Sequence, residues 1–212
     1  MQIEIAGRGR PYVDGDSLDH AVALAVTVPH VLSAAECAAM IARIDALGPT
    51  DAPITTDRGF VMMPEVRNNQ RVMFDDIALA NTLYARLAPV LPDRVCGAHK
   101  HGVNERFRCY RYAPGQQFAP HFDGAFRRSP TERSQLTLMV YLNDGFGGGS
   151  TRFLDDGREV VPSTGTALIF QHHQLHEGAR VTSGVKYVLR SDVMYSMRGH
   201  AQHDDAGIGG ER

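Results

Sequence analysis

From residue 106 onward the chain is a series of short apolar or alternating runs, at residues 107–112, 118–122, 136–142, 151–154, 159–161, 166–170 and 187–195, with Gly, Pro, Asn and Asp between them. Runs of that length and spacing are too short for helices and predict a β-sandwich or barrel. Two amphipathic helices precede this half. Ser33 and Glu36 form a capping box ahead of Cys37, Met40, Ile41, Ile44 and Leu47, which recur at helical spacing until Gly48 and Pro49. Asp75 and Asp76 cap a second helix whose apolar face is Ile77, Ala80, Leu83, Tyr84 and Leu87, ended by Pro89 and Pro92. The expected architecture is mainly β, with the helices packed outside a sheet.

The rest of the N-terminal half is less regular. Ile3 and Ile5 alternate like an edge strand, residues 7–17 read as a loop, and residues 21–28 read as a buried strand stopped by Pro29. Residues 51–70 are broken by Pro53, Gly59 and Pro64 and read as irregular, a lid over a site or a connector. Residues 197–212 are polar and Gly-rich, a tail in which His200 and His203 are not counted as ligands. A chain of 212 residues fits one domain: a helical support region at about 30–95, a core at about 106–196 and the tail.

Composition excludes several classes. A net charge of −2 leaves no basic footprint for nucleic acid. No apolar run is long enough to span a bilayer, and the N-terminus lacks the pattern of a signal peptide. Cys37, Cys96 and Cys109, an odd number without pairing rhythm, argue for a reducing compartment and a cytoplasmic protein.

The chemistry concentrates in residues 111–123, which end His121-Phe122-Asp123. On a strand, His121 and Asp123 point to one side and Phe122 to the other. An imidazole and a carboxylate converging on one point are two thirds of a 2-His-1-carboxylate triad, which holds Fe(II) and leaves positions open. His172, His173 and His176 follow the run at 166–170, and by residue type alone each is a rival for the third place. The Gly-rich stretch at 145–150 lacks a following Gly-Lys-Ser/Thr and reads as a tight turn, not a phosphate loop. Arg127, Arg128 and Arg133 follow the first ligand strand; they could meet an acidic substrate, but a solvated loop is the preferred reading.

Taken in order, these motifs resemble the prolyl-4-hydroxylase-like branch of the Fe(II)/2-oxoglutarate dioxygenases. They run Tyr112 to Gly115, His121-Phe122-Asp123, Tyr141-Leu142-Asn143, then Gly148-Gly149-Ser150-Thr151-Arg152-Phe153. Gly165 to Phe170, His176-Glu177-Gly178 and Gly184-Val185-Lys186 complete the order. The resemblance covers residues 106–195 and implies a double-stranded β-helix, a jelly-roll or cupin-like barrel, with iron at its mouth. It implies that His121, Asp123 and His176 are both the metal ligands and the catalytic centre. It implies that Lys186 binds the distal carboxylate of 2-oxoglutarate, with Tyr112 and Tyr141 as hydrogen-bonding helpers. Arg190, an additional base on the last strand, is the alternative anchor. The position three before His121 is Phe118, where relatives often carry tyrosine.

The implied cofactors are Fe(II), 2-oxoglutarate as cosubstrate and O2, with ascorbate as an optional addition. The implied reaction hydroxylates an unactivated C–H of a peptidyl residue, amino acid or small metabolite and releases succinate and CO2. The competing readings are a non-catalytic metal- or ligand-binding sensor barrel, and a barrel dioxygenase that uses no keto acid. Neither substrate identity nor oligomeric state is legible in the chain.

Overall fold

A computed structural model describes residues 18–56 and 59–197. The expectations for Ile3, Ile5, the loop at 7–17 and the tail histidines lie outside these residues. The N-terminal half carries β1 (Ala25–Val28), α1 (Ala34–Ala46), β2 (Thr50–Asp51), β3 (Ile54–Thr56), β4 (Gly59–Val61), β5 (Gln70–Asp75), α2 (Ile77–Leu87), β6 (Arg94–Val95) and β7 (Ala98–Val103). There follow β8 (Arg106–Tyr112), β9 (Phe118–His121), β10 (Arg127–Ser129), β11 (Glu132–Tyr141), β12 (Gly147–Gly148) and β13 (Thr151–Phe153). The last are β14 (Glu159–Val160), β15 (Ala167–Gln171), β16 (His176–Gly178), β17 (Val181–Ser183) and β18 (Lys186–Ser196).

The main sheet runs β1-β15-β11-β18-β8-β5-β2, with β7 beside β18 and β10 beside β11, and a smaller sheet runs β14-β13-β16-β9. The ladders pair antiparallel. This is the expected double-stranded β-helix. Alternation along the main sheet divides its residues cleanly. Phe107, Cys109, Leu138, Val140, Ile169, Leu189 and Val193 face the helices and pack with Cys37, Met40, Ile44, Leu83 and Leu87. The opposite parity, Tyr110, Tyr112, Tyr141, Leu168, Phe170 and Val188, fills the barrel interior with Phe153 and Val181. One face of each strand thus makes the core that holds the helices, and the other is free for chemistry.

The helices begin where their caps predict. The Ser33 hydroxyl accepts from the Glu36 amide, while the Glu36 carboxylate accepts from the Ser33 amide. Such a cap is worth about 1 kcal/mol. Asp76 accepts from the Leu79 amide at the start of α2.

Several expectations are corrected. Leu47 is the C-cap of α1 and lies half exposed, and Ile77, in the first turn of α2, is exposed; both sit beyond the packed stripe. The strand expected at 21–28 is confined to β1 and is only half-buried, because β1 is an edge of the main sheet. Residues 51–70 are not irregular throughout: β3 and β4 pair as a hairpin, and β2 joins β5. β5 and β7 are hidden in the sequence by Gln70, Arg71 and Asp75 in the first and by His99, Lys100 and His101 in the second. They are edgeward strands with one polar face, and β5 pairs β8 along its whole length. The region read as helical support therefore supplies strands to the main sheet. Arg128 is not free on a loop; it pairs with Glu132 and Glu105.

Candidate active site

His121 and His176 are direct partners across the β9–β16 ladder. The expectation that residues 121–123 share one strand is corrected. β9 ends at His121, and Asp123 lies past it, where its amide donates to the His172 carbonyl. The three side chains still converge. His121 Nε2 is 3.7 Å from Asp123 Oδ1, and His176 Nε2 is 3.7 Å from Asp123 Oδ2. All three residues are buried, and their ligand atoms lie within 4.8 Å of one another.

Hydrogen bonds set both histidines in one tautomer. His121 Nδ1 lies 2.8 Å from the Ala119 carbonyl, and His176 Nδ1 lies 2.9 Å from the Gln174 carbonyl. A carbonyl only accepts, so each Nδ1 carries the proton and each Nε2 turns its lone pair to the common centre. Burial lowers the pKa of both rings, which keeps those lone pairs available. Burial is the largest single influence on the Asp123 carboxyl and works to raise it, but the Arg190 guanidinium, the two imidazoles and the Thr137 hydroxyl together outweigh it and hold the group well below the carboxylate range. Two neutral imidazoles and one carboxylate, facing one point with no apolar group between them, fit a single Fe(II). Phe118 stacks flat on the His121 ring, with centroids 3.5 Å apart, so the departure from tyrosine gives an apolar support to that ring.

The rivals His172 and His173 do not join the cluster. His172 has a different place. Thr137 donates its single hydroxyl hydrogen to Asp123 Oδ2 at 2.6 Å. Thr137 Oγ1 must then accept from His172 Nδ1, 2.9 Å away, so His172 Nε2 accepts from Ser134 Oγ at 2.8 Å. Ser134 in turn accepts from the Phe126 amide. Every hydrogen in this buried chain has one direction, and it ends on the carboxylate. Burial brings the His172 pKa down to about 4, so the ring stays neutral in that role. Thr137 has no sequence signal beyond its parity on β11, and Ser134, of the opposite parity, has none: it joins the chain through the irregularity between Ser134 and Leu136. Thr137→Val is expected to weaken Fe(II) binding about 10–100-fold, the range for lost supports of metal ligands. A metal titration against a chelator measures this, and unchanged affinity would show that Asp123 needs no such support.

The cleft beside the cluster is narrow and is lined by Tyr110, Tyr112, Phe118, Met139, Lys186 and Arg190 as well as the three ligand-type residues. Lys186 and Arg190 both face inward, as their four-residue separation on β18 requires. Lys186 is 2% exposed, donates to the Gly149 carbonyl at 2.6 Å and lies 5.2 and 5.5 Å from the Tyr112 and Tyr141 ring centres. The Gly-rich turn thus presents a carbonyl to this lysine. Burial pushes the Lys186 pKa down to about 7. Tyr141 is bonded to Thr151 at 2.8 Å, and burial raises both tyrosines, so they remain protonated donors. Arg190 reaches Asp123 Oδ1 at 2.9 Å and lies 3.8 Å from Asp192.

Over residues 107–191 the sequence matches the model of the 2OG-Fe(II) oxygenase superfamily. A PKHD-type hydroxylase of Paraburkholderia phymatum is 30% identical over 199 residues, 81% of this chain and 82% of that protein. A putative prolyl 4-hydroxylase of Acanthamoeba polyphaga mimivirus is 32% identical over 102 residues, 40% of this chain but only 42% of that protein's length. Among solved structures, the viral collagen prolyl hydroxylase of Paramecium bursaria Chlorella virus-1 has the same fold. Its TM-score is 0.58 at 22% identity, over 82% of this chain and 97% of that one. A prolyl hydroxylase of Trichoplax adhaerens gives a TM-score of 0.60 at 14% identity, over 80% and 83% of the two chains.

An antiparallel jelly roll with two imidazoles and a carboxylate at its mouth defines a class, the non-haem oxygenases with a 2-His-1-carboxylate site. Within that class the chain belongs to the 2OG-Fe(II) oxygenase superfamily. The family uses Fe(II), 2-oxoglutarate and O2, and the His-Asp-His cluster fits the iron.

Proposed function

We propose that this chain is a hydroxylase in which His121, Asp123 and His176 hold Fe(II) and Lys186 anchors 2-oxoglutarate. The observation that carries the reading is the convergence of two tautomer-fixed Nε2 atoms and one carboxylate beside a buried lysine that has no carboxylate partner among the described residues. The iron, when bound, supplies oxidative decarboxylation of 2-oxoglutarate to succinate and CO2 and the oxidising power for C–H hydroxylation. The protein's own part is placement. Asp123 is held on one oxygen by Thr137 and on the other by Arg190, so its orientation is set before metal arrives. Lys186 offers a positive end at the far side of the cleft, and Tyr112 and Tyr141 frame it with rings and hydroxyls. Phe118, Phe153 and Phe170 surround the histidines and exclude water from them.

The substrate is a small molecule or a peptidyl residue. The prolyl hydroxylase of Trichoplax adhaerens was solved with a peptide fragment, which supports a peptidyl residue as one of the two candidates. Among the described residues no helix is long and apolar enough to cross a membrane. Cys37 and Cys109 are buried thiols, which supports a cytoplasmic setting. The test is mass spectrometry on a lysate and metabolite pool incubated with and without 2-oxoglutarate. A +16 Da product that depends on 2-oxoglutarate supports the reading; turnover independent of it supports a keto-acid-free dioxygenase.

The segment at 51–70 we read as a lid. The β3–β4 hairpin projects exposed Phe60 and Met62, while Arg67 and Asn68 tie its far end to the start of β9. Metal and 2-oxoglutarate together are expected to slow proteolytic cleavage near the hairpin tip severalfold. Cleavage at an unchanged rate would make it a fixed connector.

A further inference from the structure

Four arginines gather around Tyr110 at the Arg190 end of the cleft, Arg190 in its lining and Arg67, Arg71 and Arg108 beside it, and they outnumber the carboxylates paired with them. Arg71 on β5, Arg108 on β8 and Arg190 on β18 lie on the inner face of three neighbouring strands, where Arg71 is opposite Tyr110 and Arg108 is opposite Arg190. Arg67 reaches the same place from the end of the 51–70 segment. Its guanidinium lies 4.4 Å from the ring centres of both Tyr110 and Phe118, which line the cleft. Among the described residues, the carboxylates paired with this cluster are Asp192, 3.1 Å from Arg108 and 3.8 Å from Arg190, and Asp123, on Arg190. Asp123 belongs to the metal cluster, so its charge is already committed. The groups acting on Arg71 are Tyr110 and the other three guanidiniums, and none is a carboxylate. Arg67 is 5% exposed and its Nη2 has no hydrogen-bond partner, and Arg190 Nε is likewise buried without one. Unpartnered buried guanidinium nitrogens cost stability, and two of them around one tyrosine point to an anionic partner. Tyr110 registers the excess: burial works to raise its phenol, yet Arg190, Arg67 and Arg108 bring it down to about 8.

We propose that this arginine pole is a substrate subsite that holds a carboxylate, so the molecule hydroxylated is an acid and not a neutral peptide segment. The proposal deepens the oxygenase reading and rests on it for the words substrate and hydroxylated. The pole is distinct from the cosubstrate anchor. Lys186 and Arg190 are four residues apart on one strand, roughly 13 Å at about 3.3 Å per residue. A 2-oxoglutarate carboxylate on Lys186 therefore leaves the arginines open. The planar fork of arginine suits a carboxylate through paired hydrogen bonds, and Arg67 Nη2 and Arg190 Nε are the donors left over. Half-buried Arg71 gives the approach from solvent.

The test uses the Fe(II)·2-oxoglutarate complex of the whole chain, kept anaerobic and saturated with 2-oxoglutarate so that Lys186 is occupied. Benzoate and acetate are titrated against benzamide and acetamide, with melting temperature as the readout. The acids are expected to raise the melting temperature and the amides to leave it unchanged. Arg71→Gln, at a half-buried strand position, is expected to weaken the benzoate response about tenfold or more. Arg67→Gln is expected to do the same where it folds. Equal responses to acid and amide overturn the proposal, as does wild-type benzoate affinity in Arg71→Gln. A loss of 2-oxoglutarate binding in Arg71→Gln equal to its loss of benzoate binding also overturns it, because the arginines would then serve the cosubstrate. The benzoate response is read on the folded protein whatever its turnover, so its failure and a failure of succinate formation are separate results.

Discussion

Replacing His176 by alanine is expected to abolish tight Fe(II) binding and all 2-oxoglutarate turnover. His176 is one of two imidazoles whose Nε2 faces Asp123, and its tautomer is set by the Gln174 carbonyl. Without it one imidazole and one carboxylate remain, and Arg190 already competes for that carboxylate. His173→Ala is expected to bind iron normally, since His173 is outside the cluster. His172→Ala is expected to weaken iron binding without abolishing it, because it breaks the chain through Thr137 and leaves the ligand atoms in place. Metal content after anaerobic loading measures all three. Full iron content in His176→Ala, with loss in His173→Ala, would overturn the assignment.

Lys186→Ala is expected to raise the half-saturating 2-oxoglutarate concentration about tenfold to a hundredfold, from the about 1.5–3 kcal/mol of one charge-assisted hydrogen bond. Iron content should stay near normal. Arg190 is the alternative anchor, but the structure engages it with Asp123, whereas the ammonium of Lys186 donates to the Gly149 carbonyl and lies over two tyrosine rings, with no carboxylate on it among the described residues. If the penalty appears in Arg190→Ala and Lys186→Ala binds like the parent, the anchor is Arg190. The pH dependence follows from burial. With no acid bound, Lys186 has a pKa near 7, down from 10.5, and a carboxylate beside it raises that value. Affinity for 2-oxoglutarate should be flat below about pH 7 and fall up to about tenfold per unit above it. The sign for stability is the reverse. The folded pKa lies below the unfolded one, so the cost of the buried charge is full below about pH 7 and is relieved between about pH 7 and 10.5. Lys186→Met should therefore melt higher than the parent at pH 6 in the absence of 2-oxoglutarate.

Much of this was legible from residue order. The short runs after residue 106 carry the barrel because a half-buried strand must alternate, and the alternation of β8, β11, β15 and β18 survives in the structure residue by residue. His121, Asp123 and His176 were found by type and motif order, and they meet. The route by which Asp123 gets there was not legible, since it depends on a strand that stops one residue after Ala119-Pro120 and on a carbonyl from His172. Nor were the partners of Asp123. Thr137 looks like an ordinary strand threonine, and His172 looked like a rival ligand. The arginine pole needed β5, which its polar start, Gln70-Arg71, concealed. Arg108 and Tyr110 did carry a signal, because alternation across residues 106–112 puts them on one face with Tyr112. Arg67 carried none, since only the fold brings the end of the hairpin segment against Tyr110 and Phe118.

The most direct measurement is succinate formed from 2-oxoglutarate by the purified chain with a candidate substrate pool, with Fe(II) and O2 each present or withheld. The account predicts succinate only when Fe(II), 2-oxoglutarate and O2 are all supplied, and none from His121→Ala, Asp123→Ala or His176→Ala. Succinate formed at the parent rate by those variants, or a fully iron-loaded chain that forms none with any pool, would contradict it.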